Sequence, residues 1–173
     1  MFSLALLYKF SPSFRLPAFI SANRRQYEDW IVRYAVTLLE KRLFQHRGPK
    51  IRCPNTASDY LRLQLLQEER EVFAVIFLDN QKRVVAFERL FYGTLNATAV
   101  YPRVILERAL AHKCASVIIS HNHPSGETAP SDADTRLTDK VRTALKLVDI
   151  AVDDHIIVGQ GTPFSFAQNG LLW

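Results

Sequence analysis

The stretch SHNHPSG, Ser120 to Gly126, sets two imidazoles two positions apart and follows them with a proline and a glycine. In an extended chain residues i and i+2 face the same side, so His121 and His123 can present ring nitrogens to one ion. Seven residues separate His123 from Ser131, and two more separate Ser131 from Asp134. Ser131 suits the N-cap of a helix over SDADTRLTDKVRTALKLV, whose first turn then carries Asp134 back toward the place where the preceding strand ends. Two neutral nitrogens and one carboxylate oxygen suit Zn2+ and leave a fourth position for water, the arrangement of a catalytic site. A purely structural zinc site favours four protein ligands, usually with cysteine, and only three converge here.

These residues need elements to position them. ASVIIS reads as a short buried strand running directly into His121, and DDHIIVG with PFSFAQ as a closing strand pair across QGT. EVFAVIFLD and RVVAFERLFYG, on either side of DNQK, read as a β-hairpin whose first strand is buried on both faces. YPRVILERALAHK is a helix with Pro102 in its first turn. Upstream, Trp30, Ile31, Tyr34, Ala35, Leu38, Leu39 and Leu43 recur at helical spacing from Tyr27 to about His46, an amphipathic helix. RGPKIRCPNTAS then marks a linker before a second helix from about Ser58 to Gln67. The order ααββαβαββ predicts an α/β (α+β) fold with a mixed sheet flanked by helices.

Composition, with 48% hydrophobic and 23% charged residues, is that of a globular chain. No apolar run approaches the roughly 18–20 residues that span a bilayer. The opening MFSLALLYKF lacks the basic start of a signal peptide, and Cys53 and Cys114 form no C-x-x-C pair. Both cysteines read as reduced and structural, which points to the cytoplasm. Charge is uneven: residues 1–52 hold ten Lys/Arg against three Asp/Glu, and residues 53–173 hold twelve against fourteen. We therefore divide the chain into a basic N-terminal helical extension, 1–52, and a metal-binding domain, 53–173. Any nucleic-acid contact is expected in the extension and is expected to be weak.

The pattern His121-x-His123-x7-Ser131-x2-Asp134 resembles the JAMM motif of the JAB/MPN metalloprotease family. SHNHPSGETAPSDAD, LFYGTLNATAVYPRVILERAL and DHIIVG are similar to its RadC-like bacterial branch, over roughly Cys53 to Val158. The resemblance implies His121, His123 and Asp134 as zinc ligands, Ser131 as a stabiliser of the tetrahedral oxyanion, and hydrolysis of a peptide or isopeptide bond in a protein or peptide substrate. RadC-like proteins often carry a helix-hairpin-helix segment in front; the first 50 residues show no paired glycine hairpin, which counts against direct DNA binding. Neither the H-x-E with P-C-x-x-C of zinc deaminases nor the H-E-x-x-H of zincins occurs. The competing reading is a catalytically idle JAB-fold module that binds protein or DNA in repair or mobile-element biology.

Hydrolysis needs a carboxylate base, and Glu71 and Glu88 are the two candidates. A two-residue turn at Asn80 and Gln81 would pair Phe73 with Glu88 and Glu71 with Leu90, leaving both glutamates on one face; a loop one residue longer would send Glu88 to the other. Either base also requires the strand after Glu71 to run antiparallel to ASVIIS. The family pattern resembles the EVFAVIFLD stretch and so implies Glu71. Of the other histidines, His46 and His112 read as ordinary residues near helix C-termini, and His155 as a buried, hydrogen-bonded side chain.

Overall fold

A computed structural model describes residues 24–44, 54–93 and 99–172. Cys53 and His46 lie outside these residues, as does most of the basic extension. The chain divides into two compact units, Met1–Tyr34 and Ala35–Trp173. In the first, the rings of Tyr27, Trp30 and Tyr34 stack in series, with centroids 6.3 and 5.3 Å apart.

The elements follow the expected order: α1 (Arg24–Phe44), α2 (Pro54–Leu65), β1 (Val72–Leu78), β2 (Val84–Tyr92), α3 (Pro102–Ala111), β3 (Ser116–Asn122), α4 (Asp132–Lys146), β4 (Ala151–Val158) and β5 (Phe164–Ser165). α2 starts at Pro54 rather than near Ser58, because a proline, having no N–H to satisfy, opens a helix as readily as it ends one. No described helix is long and apolar enough to cross a membrane.

The strands form one mixed sheet in the order β2-β1-β3-β4-β5. Only β3 and β4 are parallel, and α4 makes the crossover between them. Every residue of β1 is buried. Val72, Ala74, Ile76 and Leu78 face one core with Tyr60, Leu61 and Leu65 of α2. Phe73, Val75 and Phe77 face the other with Ile105 of α3 and Val141 and Leu145 of α4. Burial on both sides is why the strand reads as an unbroken apolar run. In α1, Val36 and Leu39 pack against the first core while Leu38 stays 38% exposed. The expected stripe is therefore split: a broad apolar stripe leaves tertiary contacts to choose which side docks.

The hairpin corrects the two-residue turn. Asp79 pairs with Arg83 across a three-residue loop, with Lys82 in the left-handed region at φ 62°. The Asp79 carboxylate accepts from the backbone N–H groups of Gln81 and Arg83, at 2.8 and 2.9 Å, and so holds the loop. The longer loop alone would move Glu88 to the opposite face, but a bulge between Phe77 and Leu78 restores the original side and sets Glu88 opposite Val75. Glu88 thus lies deeper along the sheet than the expected pairing with Phe73.

There its carboxylate receives the Arg108 Nε at 2.7 Å and contacts His112 Nε2 at 2.7 Å, tying β2 to α3. His112 is the C-cap of α3, with its ring over Phe77, a structural place in keeping with its expected role. The Arg108 hydrogen bonds, against an opposing effect of burial and with help from His112, lower the Glu88 pKa from 4.5 to about 2. A carboxyl depressed on folding stabilises the fold above its unfolded value, and that contribution disappears as pH falls from about 4.5 toward 2. Glu88→Gln is expected to flatten this part of the acid-unfolding curve while shifting neutral-pH stability by no more than about 1 kcal/mol, since the pair is partly exposed. Urea midpoints measured across the range check this; an acid limb as steep as wild type would contradict it.

Candidate metal centre

β1 and β3 are antiparallel, with Phe73 opposite His121, so the start of β1 meets the end of β3 as a shared site requires. The two histidines sit at that end, His121 as a buried strand residue and His123 half-buried just beyond it. The chain then turns back through Pro124 and Ser125. Gly126 closes the turn by donating its N–H to the His123 carbonyl at 2.9 Å, with φ at +87°. That conformation favours glycine, and a Cβ there would also meet Gln160 Cγ at 2.9 Å and push the exposed glutamine side chain aside.

Ser131 caps α4 through a capping box, its hydroxyl accepting from the Asp134 N–H at 3.2 Å and its own N–H donating to Asp134 Oδ2 at 2.8 Å. The first turn so fixed brings Asp134 to both histidines. Asp134 Oδ1 lies 3.2 Å from His121 Nε2, Asp134 Oδ2 lies 3.6 Å from His123 Nε2, and the two ring nitrogens are 2.9 Å apart. Tetrahedral zinc with ligands at about 2.0–2.1 Å holds its donor atoms about 3.3 Å apart; the ring nitrogens lie closer than that, and the two carboxylate separations, to different oxygens of Asp134, fall on either side of it. His123 Nδ1 lies 2.9 Å from the Glu127 carbonyl, which takes its proton on the outer edge and leaves Nε2 bare toward the centre. Among the described residues, His121, His123 and Asp134 form the group able to hold a metal ion.

The electrostatics suit a cation. Burial pushes the Asp134 carboxyl up, but its contacts with the His121 and His123 rings and the hydrogen bond from the Ser131 hydroxyl outweigh it and hold the group well below the ordinary carboxylate range. The same carboxylate raises the His123 pKa against the effect of burial, and Glu71 contributes in the same direction from further off. Glu71 is half-buried immediately before β1. Continuing the β1/β3 register by two residues sets it level with His123, on the face that carries Phe73 and His121. Glu88, opposite Val75 and engaged with α3, lies further from the ligand end. Ser131 donates its hydroxyl proton to Asp134 Oδ2 at 2.6 Å, so service as an oxyanion donor requires that hydroxyl to turn away from the carboxylate.

His155 is the buried, hydrogen-bonded side chain that the sequence leads one to expect, although its partners were not read, and Asn122 was not singled out. His155 is fully buried on β4, with Nε2 2.9 Å from His121 Nδ1 and Nδ1 2.6 Å from Thr138 Oγ1. Burial depresses its pKa well below 6.5, with the charge of His121 adding to the effect. Asn122, between the two histidines, points to the other face. Its Oδ1 accepts from Val72 N at 2.8 Å, and its Nδ2 donates to the Arg70 and Glu68 carbonyls at 3.0 and 3.3 Å, stitching down the segment that carries Glu71. The polar residue inside H-x-H was the available signal. Asn122→Ala is expected to lower stability by about 1–3 kcal/mol through orphaned buried backbone groups. Denaturation midpoints check this; a midpoint equal to that of wild type would contradict it.

The description RadC-like JAB domain fits residues 51–171, more than half of the chain. The chain is 53% identical over 119 residues to UPF0758 protein Smlt0399 of Stenotrophomonas maltophilia, covering 69% of this chain and 51% of that protein. It is 50% identical over 126 residues to a UPF0758 protein of Aeromonas hydrophila and 52% over 125 residues to one of Cellvibrio japonicus, in each case covering 56% of the relative and 73% and 72% of this chain. The chain therefore spans about half the length of these curated relatives. With the mixed sheet, the strand-end histidines and the capped Asp134 agreeing with this match, the chain belongs to the RadC-like JAB domain family.

Proposed function

We propose that this chain is a zinc-dependent hydrolase of the JAMM type that cleaves a peptide or isopeptide bond. The observation that carries the reading is the convergence of two imidazole nitrogens and one carboxylate at the end of β3, beside the Glu71 end of β1. Bound zinc would supply Lewis acidity, polarising a carbonyl and lowering the pKa of coordinated water toward neutrality. Glu71 accepts the proton of the attacking water and passes it to the leaving amine. Ser131, released from Asp134, donates to the oxygen that gains charge. The test is incubation of the zinc-loaded chain with a diverse peptide mixture, read by mass spectrometry for new termini. Cleavage abolished by a chelator and restored by zinc supports the reading, and no cleavage by metal-replete protein overturns it.

The partner of this reaction is a protein or peptide, and the compartment we propose is the cytoplasm, in keeping with the free, buried thiol of Cys114. The uneven charge favours a second, weaker contact: ten Lys/Arg within residues 1–52 provide for low-affinity, sequence-independent DNA binding. Fluorescence titrations over salt are expected to show that binding fade with ionic strength. A sharp sequence preference persisting at about 0.2 M salt would instead favour the idle, DNA-binding module.

A further inference from the structure

We infer that Thr138 and His155 are positioning residues that fix the tautomer of His121, placing its proton on Nδ1 and leaving the Nε2 lone pair for the metal. The inference rests on the metal-site reading above, and the hydrogen-bond series starts at the Asp134 carbonyl, which can only accept. Thr138, one turn after Asp134 on α4, has its Oγ1 2.6 Å from the Asp134 carbonyl. That carbonyl has no proton to give, so the threonine hydroxyl donates to it. A hydroxyl has one proton, so Thr138 Oγ1 can only accept across its 2.6 Å contact with His155 Nδ1. The neutral His155 ring then carries its proton on Nδ1 and presents a bare Nε2. The next contact, 2.9 Å from His155 Nε2 to His121 Nδ1, must therefore carry the proton of His121. His121 Nε2, facing Asp134 and His123, is left with its lone pair.

Packing holds this chain of donors in one arrangement. His121, Thr138 and His155 are 1%, 2% and 0% exposed, which keeps out the water that would let either ring choose another partner. His155 stacks on Phe166 with centroids 4.7 Å apart, and His121 lies parallel to Phe73 at 6.3 Å. The series also closes on itself: it starts at the backbone of Asp134 and ends at the ion that the Asp134 side chain would share. A helix register and a ring orientation are thereby set together.

Zinc-free full-length chain, ring-labelled with 15N and observed at about pH 8, where an ordinary imidazole is neutral, gives the direct readout. His121 is expected as the Nδ1–H tautomer in wild type and in Thr138→Ser. In Thr138→Val, His155 loses the acceptor that orients it, and His121 is expected to shift toward the Nε2–H form. Zinc affinity measured by chelator competition should fall about 10- to 100-fold in Thr138→Val and return to within about threefold in Thr138→Ser. Wild type with His121 as Nε2–H overturns the inference without needing any variant to fold, as does Thr138→Val protein with unchanged tautomer and zinc affinity. If wild type binds no zinc, the metal reading fails, yet the tautomers still decide the role of Thr138 and His155.

Discussion

His123→Ala is expected to lose its zinc. The wild-type chain should hold about one ion, because His121, His123 and Asp134 are the ligand set that the described residues bring together. Removing His123 leaves one ring nitrogen and one carboxylate, too few to hold an ion against water. Changes in groups that only support a ligand typically cost 10- to 100-fold in metal affinity, and removal of a ligand itself should exceed about 10²-fold. The fold should persist, since His123 lies beyond β3 and is half-buried, whereas His121 is part of the core. Metal analysis after dialysis against a weak chelator, with circular dichroism on the same sample, checks both halves. Full retention of zinc by the folded variant would sink the assignment.

Glu71→Gln carries the second large effect: a fall of on the order of 10²-fold or more in hydrolysis rate, with fold and zinc unchanged. Glutamine keeps the shape of the side chain and loses the ability to take a proton. The register sets Glu71 level with His123 at the open end of the site, which separates it from the ligands proper. Glu88→Gln should change the rate by only a few-fold, as that carboxylate is held by Arg108 and His112. Single-turnover rates for zinc-loaded variants on one peptide distinguish the two. A reversed outcome would transfer the base to Glu88 and leave the zinc assignment standing.

The order of elements, the doubly buried β1 and the convergence of His121, His123 and Asp134 were all legible because each rests on a periodicity or a cap signal that acts locally. Glu71 was legible only in part. Its position depended on the direction of β1 against β3, and the argument from hairpin register failed in detail because a longer loop and a bulge offset one another. The facing and partners of His155, though not its burial, illustrate the same limit. Between Val117 and Ile118 the pairing with β4 slips by one, so that Val152 and Asp154 are consecutive partners with Asp153 extra. This bulge turns His155 to the face of His121, whereas strict alternation from Val152 would have sent it to the other. Bulges are fixed by tertiary contacts, here Asp153 with Lys82 and Ser116, and leave no period to read. Asn122 was missed for another reason: its partners are backbone groups of a segment distant in sequence.

The placement of Glu71 ahead of β1, on a different segment from the proposed ligands, has an evolutionary consequence. The proposed metal ligands lie within one continuous stretch from β3 to the first turn of α4, while the proposed base arrives from the segment leading into β1, across a strand interface. A single codon change just ahead of β1 could therefore turn a hydrolase into a metal-bearing binding module whose ligand motif is untouched. Relatives that share that motif should fall into two populations, separated by the residue aligned with Glu71, and surveys of the family gain more from that position than from the histidines.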